Sequence, residues 1–280
     1  SRGLGDVYKR QIVNIVASLL FVFVFGMKVE GVALGTLIAQ YAGLFMAYLL
    51  WLRYYRPLRK YISRKQLFTH DAMKRLFQVN RDIFLRTLCL VAVTVFFTST
   101  GAAFGDVVLA VNTLLMQLFT LFSYIMDGFA YAGEALTGKY IGAGNRQELQ
   151  RTIRHLFGWG IALSLAFTLL YGIGGKEFLG LLTNEQSVIS ASGDYFYWVL
   201  AIPLAGFAAF LLDGICIGAT STNIMLKAMV VASGSFFLIY YSLHNVLHNH
   251  ALWLGFIVYL ALRGIMQALL LNSSSLRTAR

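Results

Sequence analysis

Eight long apolar segments restrict this 280-residue chain to the folds that a membrane allows. They lie at about residues 12–27, 31–52, 83–104, 107–136, 156–174, 195–218, 224–243 and 251–271. A helix of roughly 20 apolar residues crosses a hydrocarbon core about 30 Å thick. The segments lack the period-two alternation that the strands of a membrane barrel require. The sequence therefore predicts an all-α polytopic membrane protein with about eight transmembrane helices.

The composition agrees with a membrane protein and argues against a nucleic-acid partner. Charged residues make up only 12% of the chain, whereas about a quarter of an ordinary soluble domain is charged. The net charge is +11, but the basic residues collect between the apolar segments and form no single face. Cys89 and Cys216 fall inside apolar segments and are interpreted as buried hydrophobic residues. We expect contacts with the lipid bilayer and with small molecules, and none with nucleic acid.

The distribution of basic residues predicts how the helices are oriented. The connection from 53 to 86 holds ten Lys or Arg against two Asp. The ten are Arg53, Arg56, Arg59, Lys60, Arg64, Lys65, Lys74, Arg75, Arg81 and Arg86. By the positive-inside rule this connection is cytoplasmic. Alternation then places the basic 138–155 connection inside and the acidic 175–194 connection outside.

Polar side chains follow one side of the otherwise apolar 107–136 segment. This polar row consists of Thr113, Gln117, Thr120, Tyr124, Asp127, Tyr131 and Glu134. A charged side chain facing lipid costs at least a few kcal/mol, so the row is predicted to face the bundle interior or a water-filled cavity. Asp127, Glu134 and Tyr131 are candidates for ion coupling. Gln117, Thr120 and Tyr124 are candidates for the lining of a substrate cavity.

The two acids of the row are predicted to form two sites, or one site and its relay. At about 100° per residue they lie within about 20° of each other, and a rise of about 1.5 Å per residue separates them by roughly 10 Å. The hydroxyl of Tyr131 can bridge Asp127 and Glu134. The alternative for each acid is a snorkelling or ion-paired residue near the interface.

Two further ionisable residues fall inside apolar segments. Asp213, in the 195–218 segment, is predicted to lie at about the depth of Glu134 and to face the same cavity, as a third candidate for ion coupling. Arg263 is the only base deep in the last segment. It is interpreted as the partner of a structural ion pair with one of the acids, and snorkelling is the alternative.

Proline and glycine predict local helix geometry. Pro203 removes one backbone hydrogen bond and is expected to kink the 195–218 helix, as a static bend or as a hinge. GxxxG spacing predicts close helix contacts. It occurs at Gly31/Gly35, Gly101/Gly105 and Gly214/Gly218.

The sequence has only incomplete matches to motifs for catalysis and cofactor binding. "GEALTGKY" resembles a P-loop but ends in Tyr140 and follows a membrane helix, so no nucleotide site is expected. His244, His248 and His250 are close together but lack a nearby acid, so no metal is expected. The sequence contains no HExxH or GxSxG. We therefore predict a protein that is not an enzyme and has no cofactor.

Several stretches resemble the multidrug and toxic-compound extrusion (MATE) transporters, in their DinF-like branch. They are "NRDIFLRTL" at 80–88, "DGFAYAGEA" at 127–135, "GKYIGAGN" at 138–145, "LLDGICIGAT" at 211–220, and "NHALWL" with "LALRG" at 249–264. The resemblance covers nearly everything after residue 76. Members of this family have twelve helices in two six-helix lobes, which implies a cavity between the lobes that opens alternately to each side.

The resemblance implies a division of the chain into parts. Residues 12–55 correspond to the last two helices of the N-terminal lobe, 56–76 to a basic cytoplasmic connection, 77–272 to the six-helix C-terminal lobe and 273–280 to a cytoplasmic tail. Residues 1–11 resemble translated adapter sequence and are predicted to be non-native. The chain is thus expected to be truncated at its N-terminus and inactive alone.

The function implied by the resemblance is export of cationic or amphipathic drugs or metabolites in exchange for protons or sodium. The exporter would be a monomer in a bacterial inner membrane. Asp127, Glu134 and Asp213 fall where the DinF-like pattern also has acids. The proton-binding aspartate proposed for that branch lies in its first helix, which has no counterpart among the eight segments. The resemblance therefore does not predict whether the coupling ion is a proton or sodium. Alternatives are a lipid-linked polysaccharide flippase, which needs a cationic cavity, and a membrane-embedded hydrolase, which needs Asp127 beside Asp213.

Overall fold

The chain folds into α-helices, as seen in a computed structural model that describes residues 4–54 and 69–274. The helices are α1 (Leu4–Leu19), α2 (Val29–Tyr54), α3 (His70–Ala103), α4 (Asp106–Gly142), α5 (Arg146–Leu182), α6 (Gln186–Ser192), α7 (Phe196–Gly218), α8 (Thr222–Leu247) and α9 (Asn249–Ser274). A π-helical turn, Leu20–Val24, follows α1. The described ranges contain no β-strand, and the prediction of an all-α protein is confirmed.

Seven of the described helices are long and apolar enough to cross a membrane, namely α2, α3, α4, α5, α7, α8 and α9. Residues Gln11–Val24 form a shorter apolar helix. The eight predicted segments thus correspond to seven candidate spans and this shorter helix. Helices suit a lipid environment because their backbone N–H and C=O groups bond within the same segment.

The helices belong to two compact units, Ser1–Met73 and Lys74–Arg280. In the first unit, α1 and α2 approach closely, because a Cβ added at Gly35 would clash with Ser18. Helix α1 begins at Leu4, inside the segment 1–11 that is predicted to be non-native. The predicted 56–76 connection lies mainly outside the described residues, and α3 begins within it at His70.

Helix α7 lies at the centre of the second unit, where it packs against α4, α5 and α9. Two glycines bring it close to α4. A Cβ added at Gly214 would clash with the carbonyl oxygen of Ala130, and one at Gly218 would clash with that of Glu134. The two backbones therefore touch at the level of the acids on α4.

A buried polar network joins α4 to α9 at the predicted outer end of the second unit. Asn112 donates to Asn249 Oδ1 at 2.8 Å and accepts from Asn249 at 3.0 Å and from Trp253 Nε1 at 2.9 Å. Both asparagine side chains are buried. Burial of these two amides is tolerated because each carbonyl oxygen, and one N–H of each amide, has a hydrogen-bond partner.

Pro203 lies buried inside α7, which continues from Phe196 to Gly218. Proline has no N–H, so the carbonyl of Val199 has no helical donor at this position. The carbonyl of the next residue, Leu200, accepts a hydrogen bond from the Thr168 hydroxyl of α5 at 3.3 Å. The role of Pro203 as a hinge stays a prediction.

Candidate functional site

The polar row lies along the margin between the buried and the exposed sides of α4. The buried side consists of Val111, Asn112, Leu114, Leu115, Leu118, Phe122, Met126, Ala130, Gly133 and Thr137. Thr120, Asp127 and Glu134 are half-buried, because about 100° per residue places them beside that side. Tyr124 and Tyr131 lie further round the helix and are 72% and 69% exposed. The acids are thus closer to the interior than the tyrosines.

Asp127 has no direct partner in the described part of the chain. No hydrogen bond or ion pair joins its carboxylate to any residue of 4–54 or 69–274. It lies within electrostatic range of Arg263, Asp213 and Arg86. Its oxygens are therefore available to a proton or a ligand while their charge acts on these three residues.

Asp213 is enclosed by donors from two other helices. Its Oδ2 accepts from Arg86 Nη2 of α3 and, at 2.9 Å, from Arg263 Nη2 of α9. Its Oδ1 accepts from Gln267 Nε2 at 2.7 Å. The residue is only 7% exposed. The sequence predicts an acid that faces a cavity, whereas the structure places Asp213 in a buried ion pair that joins α3, α7 and α9.

Arg86, Asp127, Asp213 and Arg263 form what we call the charge cluster. Two guanidinium groups surround one carboxylate, which leaves an excess of positive charge that Asp127 balances without touching it. Arg263 is buried and its guanidinium also lies over the ring of Phe210, 5.2 Å from the centroid. Coulomb interactions are strong where water is excluded. A proton on Asp127 would therefore change the net charge that the whole cluster presents.

The predicted bridge between the two acids of the row is not formed. Within the described ranges the Tyr131 hydroxyl has no hydrogen-bond partner, and its side chain points away from the packed interior. Glu134 is half-buried and its backbone carbonyl lies against Gly218. Asp127 and Glu134 are thus separate groups in this structure.

Two adjoining cavities lie beside the first half of α4. The larger, of about 650 Å³, lies between α4 and the 182–188 stretch and has Asp106 and Glu185 in its lining. The smaller, of about 160 Å³, lies between α3 and α4. Gln117 and Thr120 line the smaller cavity, and Tyr124 is in neither lining.

Sequence reasoning counted Arg86 and Asp82 in the basic cytoplasmic connection from 53 to 86, and the structure places both in a helix. Both lie in α3, where Arg86 binds Asp213 and is 22% exposed in its side chain. Asp82 is buried, pairs with Arg81 at 3.0 Å and accepts from Thr222 at 3.3 Å. The apolar run that begins at Ile83 was the available signal, because it places Arg86 inside a membrane helix. Nothing in the sequence pattern pointed to Gln267.

Two histidines near the turn between α8 and α9, His244 and His250, contact aromatic side chains. His250 Nδ1 accepts from Trp198 Nε1 at 3.2 Å and lies 3.0 Å from the Tyr197 hydroxyl. Among the residues that the structure describes, no group of three or more His, Cys, Asp or Glu is placed to hold a metal ion.

Comparison with known proteins gives a consistent set of relatives. The MatE family model matches residues 83–241. The DNA damage-inducible protein F of Escherichia coli is 39% identical over 92% of this chain and 56% of its own length. Protein DETOXIFICATION 42 of Arabidopsis thaliana is 24% identical over 93% of this chain and 48% of its own length. The chain spans about half the length of the curated relatives it matches.

Solved structures share the fold. A Vibrio cholerae MATE transporter, VcmN, in the bent form matches 98% of this chain and 62% of its own length, with a TM-score of 0.81 and 15% identity. The outward-facing conformation of a multidrug resistance MATE family transporter matches 96% of this chain and 61% of its own length, with a TM-score of 0.75 and 20% identity.

Proposed function

The chain belongs to the MATE family, and from this premise we propose that it acts in drug or metabolite efflux as part of a secondary antiporter. It is a multi-pass protein of the bacterial inner membrane. The antiporter would export cationic or amphipathic compounds and take in protons or sodium. It would work as a monomer, without a cofactor and without catalysing a chemical reaction.

One observation supports this proposal most directly: Asp127 is a half-buried acid whose oxygens have no hydrogen-bond or ion-pair partner among the described residues, and it lies beside Asp213, whose two oxygens are engaged. In the described part of the chain, both oxygens of Asp213 already accept hydrogen bonds. Asp127 is therefore the member of the charge cluster that can take up a proton or a metal ion without breaking an ion pair.

Mutual exclusion follows from the charge that the cluster presents. With Asp127 ionised, its carboxylate balances the excess guanidinium charge and attracts a cationic substrate nearby. With Asp127 neutralised, the same place is positive and repels that substrate. Each ligand shifts the transporter between its access states only by its different affinity for them. Glu134 remains a candidate for a relay toward the cytoplasm.

The alternatives gain no support from the geometry. Among the described residues, the linings of the two cavities contain Asp106 and Glu185 and no lysine or arginine, whereas a flippase for anionic lipid-linked sugars would need a cationic cavity. A hydrolase would need Asp213 free to exchange protons, and its oxygens are engaged by Arg263 and Gln267.

Asp127→Asn tests the proposed function. We expect it to abolish pH-gradient-driven dye efflux and to leave expression intact, because the amide fills the same volume but does not take up a proton and carries no negative charge to attract a cation. Efflux is measured in cells that lack other pumps, with this chain alone and fused to the part of the E. coli relative that it does not span. The matched control is Glu148→Gln, at an exposed ion pair with Arg151. Wild-type efflux by Asp127→Asn would show that the acid is structural.

A further inference from the structure

The smaller cavity has an unusual polar lining. Four threonines face it from two helices, Thr94 and Thr98 of α3 and Thr113 and Thr120 of α4. Gln117 and Asn112 complete the polar part, and none of the described residues in the lining is charged. Recognition in this cavity must therefore depend on hydrogen bonds.

The threonine hydroxyls have already used their protons. Thr94 donates to the carbonyl of Leu90, Thr98 to that of Thr94, Thr113 to that of Leu109 and Thr120 to that of Met116, at 2.8 to 3.1 Å. A hydroxyl has one donor and two acceptor lone pairs. These four side chains can therefore accept hydrogen bonds from a ligand but have no proton left to donate to it.

Asn112 adds little donor capacity. Its Oδ1 accepts from Asn249 and Trp253, and its Nδ2 donates to Asn249. Gln117 contributes the N–H donors of one amide, so acceptor oxygens outnumber donor groups in the lining of the cavity. A group that enters it replaces water well only if it brings N–H or O–H donors, because a buried acceptor without a partner costs free energy.

The size of the cavity restricts the group further. A volume of about 160 Å³ holds roughly five waters at about 30 Å³ each, or one small polar group. The larger cavity of about 650 Å³ shares Leu109, Thr113 and Gln117 with it. That volume falls in the range of about 300–1,000 Å³ that is typical of sites for drug-sized ligands. A ligand can place its body in the larger cavity and a head group in the smaller one.

We propose that the smaller cavity between α3 and α4 is a subsite that selects head groups carrying N–H donors, such as a primary ammonium, over quaternary groups of the same charge. This inference rests on the proposed efflux function and names the feature by which the site chooses among cations. A trimethylammonium group keeps the charge but has no N–H, so the threonine oxygens would be left unpaired. A site that hydrogen-bonds its substrate rejects an analogue without the donor much more strongly than one that only encloses it.

The test compares two ligands that differ only at the head group: an aromatic dye with a primary ammonium and its N,N,N-trimethyl derivative. We expect the wild type to export the primary amine at least ten-fold more efficiently, as kcat/KM. The variant Thr94→Val, Thr98→Val, Thr113→Val keeps the shape of each side chain and removes its oxygen. It should lose this preference and still export the trimethyl derivative. The control is Thr87→Val, an exposed threonine of α3 outside the cavity lining that bonds the carbonyl of Ile83 in the same way.

The outcomes separate this inference from the proposed function. An unchanged preference in the triple variant, or equal export of both dyes by the wild type, would overturn the subsite and leave the efflux function standing. If neither dye is exported, the proposed function fails. In that case calorimetric binding of the two dyes to the purified chain decides: selective binding that the triple variant loses supports the subsite, and any other result overturns it.

Discussion

Asp213 shows how strongly a single residue can depend on its partners. Its carboxylate is buried, and its contacts reach α3 through Arg86 and α9 through Arg263 and Gln267. Removing one member of a buried ion pair leaves an uncompensated charge, which costs far more than the net worth of the pair. Asp213 is therefore expected to matter for stability more than for ion binding.

Asp213→Asn should lower the free energy of unfolding by about 3–5 kcal/mol, because two guanidinium groups lose the carboxylate that pairs with both of them. Thermal unfolding of the purified protein in detergent measures the loss. Asp71→Asn, at a fully exposed side chain, should leave the unfolding temperature unchanged. Equal unfolding temperatures for Asp213→Asn and the wild type would contradict the structural role.

The residues of this ion pair also show what a sequence can predict. The sequence suggested that Arg263 would pair with an acid, because a lone base deep in a membrane helix needs a partner. It did not suggest which acid, since Asp213 is 50 residues from Arg263 and 127 from Arg86 along the chain. Hydropathy reports how deep a residue lies, and only packing decides what it touches.

Among the helices, the contact of α4 with α7 is the closest approach near the acids. It depends on Gly214 and Gly218, which lie against backbone carbonyls of α4. A carbonyl cannot rotate away as a flexible side chain can, so any larger residue forces the two helices apart.

Gly214→Ala should destabilise the protein by about 1–3 kcal/mol, because its methyl group would overlap the carbonyl of Ala130. Gly234→Ala in α8 is the matched control, since a Cβ there meets nothing within 4 Å. It should be neutral or stabilise by up to about 1 kcal/mol, because alanine favours a helix more than glycine does. Unfolding curves in detergent compare the two variants, and a more stable Gly214→Ala would refute the packing explanation.

The GxxxG pairs show how well a local sequence pattern predicts close packing of helices. Gly214/Gly218 and Gly31/Gly35 do allow helices to approach closely. In the third pair, Gly101 faces the amide of Asn112, whereas Gly105 has a φ of +109° at the turn into α4 and meets no neighbour. The same spacing thus serves close packing in two pairs and a turn in the third, and the sequence does not distinguish these uses.

At the scale of the whole molecule, the orientation in the membrane is open to a direct test. The turn between α4 and α5 is predicted to be cytoplasmic and the connection before α6 to be outside. With Cys89 and Cys216 replaced by serine, Ala143→Cys should react with a membrane-impermeant maleimide only after the cells are opened. Asn184→Cys should react in intact cells. The reverse pattern would invert the topology.

The helical architecture could be predicted from the sequence because the length and hydropathy of each segment decide it locally. The position of the polar row could be predicted too, as a periodic feature of one helix. The cavities could not, because Thr94 and Thr98 come from α3 and meet Thr113 only when the two helices pack. The burial of Asp82 was missed for the same reason, since its partner Thr222 is 140 residues away.

Helix α9 is tied at two depths, by Asn249 to α4 at one end and by Arg263 and Gln267 to α7 further along. Together with the glycine contact between α4 and α7, these ties connect the three helices at several depths. We therefore expect α4, α7 and α9 to shift together when access to the cavities changes, with Pro203 as the place where α7 itself can bend.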